Sequence, residues 1–329
     1  MPTIAITGAS GKLGGATLGA LLEHNLAPAH DIVALTSSAP GSPTWAQLAS
    51  RGVQVRHASF DAPPTFAAAL RGVDRFFLVS TPRIGLDFGD APEGQGRERH
   101  HQAAIDAAVA CGVGHVYYSS LAFGYRSGTG PSGESKAGVM RAHLRTERYL
   151  EAVAARGGIK TTVLREGLYN ESWPLYLGYY DPRGGDDRGV VKLAGDGKVC
   201  WTGIRDLGIA NALVLTAGES GEEETYAGRT FYLSTRPEGA RSVSEIAGMV
   251  GEARGKEVRV EVVGREGHER HYVEERGMER PAVEWWASTY EALEDGECLI
   301  DDPMLERLLA KVGVKPTPVE ETVESMVKG

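Results

Sequence analysis

The chain begins with a strand pattern, a glycine-rich turn and a helix pattern. Residues 3–7 are apolar or β-branched, and apolar side chains recur at helical spacing after the turn. The glycines are Gly8, Gly11 and Gly14, a G-x-x-G-x-x-G spacing one residue longer than the usual dinucleotide fingerprint. Gly8 permits a sharp exit from the strand, Gly11 leaves no Cβ where a pyrophosphate would approach, and Gly14 lets the helix pack closely on the sheet. The segment therefore predicts a phosphate-binding helix N-terminus, and a tight turn without a ligand is the alternative.

Length and composition restrict the class of protein. With 329 residues, 42% of them hydrophobic, the chain can form one large α/β domain with an attached lobe, or two domains. A formal charge of −9 argues against a polyanion-binding surface, and hence against a nucleic-acid partner. The three cysteines are odd in number and far apart, so they indicate neither a disulfide framework nor a metal site. No apolar run approaches the ~18 residues of a membrane span and no leader pattern precedes the first strand, so we expect a cytoplasmic protein.

The first half of the chain alternates strand and helix patterns. After the first strand, helix patterns separate further strand patterns over residues 31–36, 53–57, 75–80, 115–120 and 160–165. Repeated β–helix–β units predict a parallel sheet with helices on both faces and right-handed crossovers. Ligands of such sheets bind beyond the carboxyl ends of the strands, so the residues just after each strand form the candidate site.

The second half of the chain is less regular. Residues 169–180 are unusually aromatic, which fits either a flat substrate or packing of a lobe, and Ser242 and Glu245 form the S-x-x-E pattern of a helix N-terminus. No repeat, low-complexity tract or linker separates the two halves. We therefore predict a dinucleotide-binding domain over residues 1–168 and a smaller α/β lobe over residues 169–329, interleaved with the first domain.

Several motifs that follow one another in this sequence are similar to those of a known family. They are TGASGKLG (Thr7–Gly14), LVSTP (Leu78–Pro82), YYSSL (Tyr117–Leu121), HLRTERYLEA (His143–Ala152), VLREGLYNES (Val163–Ser172) and GDGKVCWTGIRDLG (Gly195–Gly208). Together they resemble the NmrA-like atypical short-chain dehydrogenases, especially the type-two NAD(P)H:quinone oxidoreductases, over roughly residues 1–265. The resemblance implies a doubly wound, Rossmann-type α/β sheet that binds a nicotinamide cofactor, with the small C-terminal lobe as the other wall of the cleft. The family also contains redox-responsive regulators, so the fold alone does not determine the function.

The usual catalytic pair of short-chain dehydrogenases is missing. That pair is Tyr-x-x-x-Lys after the fifth strand, whereas here Tyr125 lies eleven residues before Lys136. Counting back from the sixth strand places His143 where related reductases hold a lysine, and a histidine there could donate a proton or hydrogen-bond the ribose or a substrate carbonyl. Packing on the helix surface is its alternative role. Ser120, at the end of the fifth strand, and Tyr169, after the sixth, are further candidate catalytic residues, with turn formation and lobe packing as their alternatives.

Other residues at the strand ends are candidates for binding the cofactor. The end of the second strand offers hydroxyl groups but neither the acid that selects NAD nor an arginine, which together with Lys12 favours NADP over NAD. Phe60 and Asp61 resemble the adenine-contacting pair of the family, and the residues after the fourth strand would border the adenine-side ribose. The predicted cofactor-binding residues are Gly8, Ala9, Ser10, Gly11, Lys12, Leu13, Gly14, Thr36, Ser37, Ser38, Phe60, Asp61, Ser80, Thr81, Pro82, Ser119, Gly167 and Leu168.

These features predict an NAD(P)H-dependent oxidoreductase. Its acceptor would be a small, flat organic molecule such as a quinone, enone, imine or carbonyl compound. The protein would mainly position the hydride donor and the acceptor, and the cofactor would supply the chemistry. The alternative is a cofactor-sensing regulator that binds a protein partner without turnover, and the missing Tyr-x-x-x-Lys pair supports it. A homodimer is compatible with either hypothesis. An isomerase that retains its cofactor is a third hypothesis, although such enzymes generally need the missing tyrosine.

Overall fold

The computed structural model of the protein describes residues 1–218 and 226–329. In chain order, its strands are β1 (Ile4–Ile6), β2 (Ile32–Thr36), β3 (Gln54–His57), β4 (Arg75–Val79), β5 (His115–Leu121), β6 (Tyr125–Arg126), β7 (Gly130–Pro131), β8 (Lys160–Glu166), β9 (Val190–Leu193), β10 (Lys198–Val199), β11 (Thr230–Leu233), β12 (Arg241–Ser242) and β13 (Arg259–Val262). Seven of them form a parallel sheet in the order β11-β8-β5-β4-β1-β2-β3. The order reverses between β1 and β4, and such a switch point is where open α/β sheets bind their ligands.

Helices cover both faces of this sheet. In chain order, the α-helices of the described residues, including those of the small lobe, are α1 (Lys12–Glu23), α2 (Pro43–Ser50), α3 (Thr65–Ala69), α4 (Glu98–Ala110), α5 (Met140–Ala155), α6 (Trp173–Tyr176), α7 (Ile204–Thr216), α8 (Val243–Arg254), α9 (Gly264–Arg270), α10 (Arg280–Glu294), α11 (Met304–Ala310) and α12 (Val319–Lys328). Apolar side chains of α1, α7 and α11 form one core with the sheet, and those of α3, α4 and α5 form a second core on the other face. The predicted fold class is therefore confirmed.

A third core lies in the smaller lobe, where α8, α10 and α12 pack around the aromatic segment of residues 169–180. Trp173 and Tyr180 are 0% and 1% exposed, so these aromatic side chains are lobe core. Ser242 caps α8, because its hydroxyl accepts from the Glu245 amide while the Glu245 carboxylate accepts from the Ser242 amide. Among the described residues, no helix has both the length and the apolarity needed to cross a membrane.

The chain crosses between the sheet and the small lobe more than once. After residue 168 it enters the lobe, returns to the sheet as α7 and β11, enters the lobe again and returns as α11. The predicted boundary at residue 168 remains a prediction. Helix α5 begins only at Met140, because residues 122–139 form a loop that contains the short pair β6 and β7.

Candidate functional site

The glycine-rich turn joins β1 to α1 at the switch point of the sheet. Gly8 has a left-handed backbone with φ of +61°, which a side chain rarely tolerates. A Cβ on Gly14 would lie 2.7 Å from the Thr7 carbonyl oxygen, so the absence of a side chain brings α1 against the end of β1. No side chain caps α1, and its first turn contains no acidic residue. Its N-terminal amide groups are therefore available to an anion, and a cofactor pyrophosphate fits this cradle.

A glycine far along the chain, Gly208, fixes where α1 lies. Gly208 belongs to α7, and a Cβ on it would lie 2.6 Å from the backbone carbonyl carbon of Ala16 in α1. The two helices can cross at this distance only because residue 208 has no side chain. Gly208 ends the last motif quoted for the family resemblance, but its contact with α1 was not expected from the sequence.

The predicted NADP-selecting residues form a hydroxyl cluster after β2. Thr36 Oγ1 lies 2.8 Å from Ser38 Oγ, and Trp45 Nε1 donates to Ser38 Oγ at 3.0 Å. Ser37 and Lys12 are exposed and make no side-chain hydrogen bond among the described residues. These groups supply hydroxyl donors and one cation, and no carboxylate lies among them. The arrangement fits a phosphorylated ribose better than two ribose hydroxyls.

Phe60 and Asp61 follow β3 at the edge of the same site. The Phe60 ring stacks on His100 at a centroid distance of 5.9 Å, and Asp61 forms an ion pair with Arg83 from the loop after β4. His100 and Arg83 were not among the predicted residues. The side chain of Arg83 is long and more than half exposed, so its guanidinium group could contact either an adenine ring or a phosphate.

The residues after β4 are held by a buried ion pair. Arg97 Nε lies 2.6 Å from Asp87 Oδ2, and both side chains are under 5% exposed. The Arg97 guanidinium also donates to the carbonyl oxygens of Thr81 at 3.3 Å and Val139 at 3.2 Å. Arg97 thus joins the loop after β4 to the start of α5, and it holds Ser80, Thr81 and Pro82 against the helix that contains His143.

His143 lies on the face of α5 that packs against α4 and β5, so it is buried rather than exposed on the helix surface. Its side chain is 4% exposed, and its Nδ1 lies 2.9 Å from the Tyr118 hydroxyl oxygen. Burial lowers its pKa well below the ordinary value, and the nearby cations Arg97 and Arg165 and the imidazole of His101 lower it further. His143 is therefore neutral near pH 7, so it can act as a hydrogen-bond donor but not as a ready source of a proton.

Ser119 and Ser120 lie near the end of β5 and are both buried. The Ser120 hydroxyl donates to Glu147 Oε1 at 2.6 Å, and Arg165 Nη2 lies 2.7 Å from the other carboxylate oxygen. Ser120, Glu147 in α5 and Arg165 in β8 therefore form one hydrogen-bonded group. The Ser120 hydroxyl hydrogen is already committed to a carboxylate, so the hydroxyl oxygen is the atom left for a further partner.

Gly167, Leu168 and Tyr169 follow β8 where the chain enters the small lobe. A Cβ on Gly167 would lie 2.8 Å from the Thr202 Cβ, and Leu168 is buried in the lobe core. Tyr169 pairs with Thr202 and packs against the core that α1 and α7 form with the sheet. Burial raises the pKa of Tyr169, with Glu166 and Glu171 adding to the shift, so its hydroxyl stays protonated.

The structure brings together residues that the sequence did not single out. They are Arg97 just before α4, His101 in α4, Tyr118 in β5 and Glu147 in α5, all beside predicted residues. Charged side chains are frequent in residues 93–99, and this local composition is a sequence signal for Arg97. Lys136 is ion-paired with Asp295 at 2.6 Å and Tyr125 packs on Tyr232, so neither side chain takes the place of the Tyr-x-x-x-Lys pair that the sequence lacks.

Comparison with known sequences gives consistent matches. Residues 1–175 match the profile of the NmrA-like family. A relative from Aspergillus flavus, named NmrA-like family domain-containing oxidoreductase flvB, is 28% identical over 98% of this chain and 94% of its own. Quinone oxidoreductase 2 of Escherichia coli is 32% identical over 71% of each chain.

Solved structures agree with the sequence matches. Triphenylmethane reductase from Citrobacter sp., solved with NADP(H), superposes with a TM-score of 0.74 at 27% identity, over 98% of this chain and 99% of that one. The NADPH complex of quinone oxidoreductase QOR2 from Escherichia coli gives 0.73 at 27% identity with the same coverage. Both similarities extend over the sheet and the small lobe.

Proposed function

Because the chain belongs to the NmrA-like family, we propose that it is an NADPH-dependent reductase whose acceptor is a flat, quinone-type molecule. The family resemblance expected from the sequence is confirmed. So is the broader prediction of an NAD(P)H-dependent oxidoreductase that uses NADP, because the relatives are named oxidoreductases and the matched reductases were solved with NADP(H). The acceptor is the part that we propose.

The residues present would hold the cofactor in three groups. The amide groups at the start of α1 would bind the pyrophosphate, the hydroxyls after β2 with Lys12 would bind the 2′-phosphate, and Phe60 with Arg83 would border the adenine. When bound, NADPH supplies the hydride. The chain itself has to orient the acceptor and to supply or order a proton.

One observation supports a quinone-type acceptor: the two histidines and the tyrosine beneath the site, His143, His101 and Tyr118, are held neutral. Burial lowers the pKa of both His143 and His101, and it raises the pKa of Tyr118. Neither an imidazolium nor an activated tyrosine is therefore ready to protonate a product oxygen. A quinone tolerates this, because hydride transfer to it leaves a stable hydroquinone anion that water can protonate. A ketone or an imine would need a stronger acid.

The experiment is to follow NADPH oxidation with a panel of quinones, enones, ketones and imines, after measuring NADPH and NADH binding by calorimetry. We expect tighter binding of NADPH and turnover confined to quinones and closely related acceptors. In the same panel, His143→Ala should reduce quinone turnover mildly, because the product oxygen needs little help.

Two outcomes would overturn the proposal. Faster turnover of ketones or imines than of quinones would mean that the site contains an effective acid. Tight NADPH binding without oxidation by any acceptor would favour the alternative of a cofactor-sensing regulator that binds a protein partner.

A further inference from the structure

A chain of hydrogen bonds runs beneath the site through four elements. It starts at the backbone amide of Thr81, after β4, and passes through His101 in α4 and Tyr118 in β5 to His143 in α5. His101 and Tyr118 are completely buried, and His143 is nearly so. Because bulk water does not reach His101 or Tyr118, each polar atom of these two side chains has to match the donor or acceptor that faces it.

The first step fixes the tautomer of His101. The Thr81 amide, which can only donate, points at His101 Nε2 at 3.2 Å, and the Ser80 hydroxyl lies 3.1 Å from the same nitrogen. Nε2 must therefore accept, so the single hydrogen of the neutral ring is on Nδ1. That nitrogen faces Thr146 Oγ1 at 2.8 Å, and Thr146 gives its own hydrogen to the carbonyl oxygen of Ala142. His101 Nδ1–H is thus the donor in this contact.

The second step fixes the tautomer of His143. The Tyr118 hydroxyl oxygen lies 3.3 Å from His101 Nδ1 and 2.9 Å from His143 Nδ1. His101 Nδ1 already has a hydrogen and cannot accept one. The hydroxyls of Thr146 and Ser80 also interact with the Tyr118 hydroxyl, but His143 Nδ1 faces it at an ordinary hydrogen-bond distance of 2.9 Å, so we infer that the Tyr118 hydroxyl donates to His143 Nδ1. His143 must then hold its hydrogen on Nε2. Among the described residues, no group accepts a hydrogen bond from that nitrogen.

We propose that Thr81, His101 and Tyr118 fix His143 as the neutral Nε2–H tautomer, and that this N–H is a preset hydrogen-bond donor for an oxygen of the cofactor ribose or of the acceptor. The proposal rests on the proposed function for its purpose, but not for the tautomer itself. His101 and Tyr118 are positioning residues, because they act through His143. Because the backbone amide of Thr81 can only donate, it sets the donor and acceptor roles in this series of hydrogen bonds.

The charged and titratable groups around His143 favour this neutral form from every side. Arg97 faces it from just before α4, His101 from α4, Tyr118 from β5 and Arg165 from β8. Glu147 on α5 is the carboxylate of this region, and its oxygens are bonded to Ser120 and Arg165. The donor at Nε2 should therefore be unchanged in protonation between pH 6 and pH 8.

Nuclear magnetic resonance of protein labelled with ¹⁵N in its histidines tests the proposal directly, since long-range ¹H–¹⁵N correlations distinguish the two tautomers. Among the nine histidines, the signals of His143 and His101 are identified by their loss in His143→Asn and His101→Asn. We expect opposite tautomers, Nε2–H for His143 and Nδ1–H for His101, in the folded protein at pH 7. A protonated His143, or an Nδ1–H tautomer there, would overturn the proposal whether or not the protein turns over any acceptor.

Tyr118→Phe tests the positioning step. Without the hydroxyl donor, His143 should populate both tautomers, and kcat should fall roughly 2- to 10-fold, the range for one net hydrogen bond. An effect on the Kd for NADPH would assign the donor to the cofactor, and an effect on kcat alone would assign it to the acceptor.

Tyr290→Phe is the matched control. Tyr290 is equally buried, but its hydroxyl donates to the Tyr176 carbonyl oxygen in the core of the small lobe. The Tyr290→Phe variant should leave the His143 signals and kcat unchanged. An unaltered His143 tautomer in Tyr118→Phe would show that Tyr118 does not set it.

Discussion

At the scale of single residues, the position of the glycine-rich turn depends on a glycine nearly two hundred positions away. Gly208 lets α7 cross α1 with no side chain between the backbones, and α1 presents the amide groups that would bind the pyrophosphate. A residue in the second half of the chain thereby affects the geometry of a site that the first half predicts.

We predict that Gly208→Ala destabilises the protein by about 1–3 kcal/mol, the usual cost of overpacking, and weakens NADPH binding because α1 has to move. Gly248→Ala is the control: Gly248 is in the interior of α8, and a Cβ there meets nothing within 4 Å. Alanine at that position should stabilise the protein by about 0.5–1 kcal/mol through helix propensity. Urea unfolding and calorimetry measure both effects, and equal behaviour of the two variants would contradict the close crossing of α1 and α7.

The sequence predicted those site residues that depend on local spacing. The glycine-rich turn, the hydroxyls after β2 and His143 all lie within motifs or at counted distances from a strand. Arg97, His101 and Tyr118 were missed because their partners are on other elements: His101 bonds Thr146 across 45 positions, and Tyr118 bonds His143 across 25. Periodicity indicates which face of an element is buried, but it does not show which polar groups meet there.

At the scale of elements, three arginines of α5 bind residues 90–98, a segment that runs from the loop after β4 to the first residue of α4. Arg141 bonds Asp90, Arg145 Nη1 lies 3.0 Å from Glu98 Oε1, and Arg148 lies 4.0 Å from Glu93. The pairs differ in burial, since Glu98 is fully buried whereas the side chains of Arg148 and Glu93 are both more than half exposed. The Arg145 pair should therefore dominate the attachment of the loop.

We predict that Arg145→Met lowers the free energy of unfolding by on the order of 3 kcal/mol, because Glu98 then remains buried without its cation. Arg148→Met, one turn further along the same helix, should change it by less than about 0.5 kcal/mol. Both variants lose one positive charge, so their comparison removes the effect of net charge. Similar losses in chemical denaturation would contradict the difference in burial as the cause.

At the scale of the whole molecule, several buried histidines make stability depend on pH. Burial lowers the pKa of His115 and of His268 to about 4, and it lowers those of His101 and His143 well below the ordinary value. The unfolded chain takes up these protons near pH 6.5, whereas the folded protein does not. The stability is therefore fully present above about pH 6.5 and is lost as pH falls toward 4.

We predict that urea unfolding shows a steady loss of stability between pH 6.5 and pH 4. Each histidine that stays neutral in the fold contributes up to about 1.4 kcal/mol per pH unit. In His268→Leu, which removes one such group from the aromatic core of the small lobe, the slope should be smaller by that amount. A pH-independent free energy of unfolding across this range would show that these side chains are hydrated.

The repeated crossing of the chain between sheet and lobe also matters while the protein is being made. The ribosome releases β1 to β8 first, but β8 gains its outer neighbour only with residues 230–233, and α11 follows at residues 304–310. At about 5–20 residues per second, the interval between the end of β8 and the end of α11 is on the order of ten seconds. During that time the face of the sheet that α7 and α11 later cover is open to solvent on the nascent chain. The residues that would hold the cofactor are therefore synthesised before α7, the helix that packs against α1.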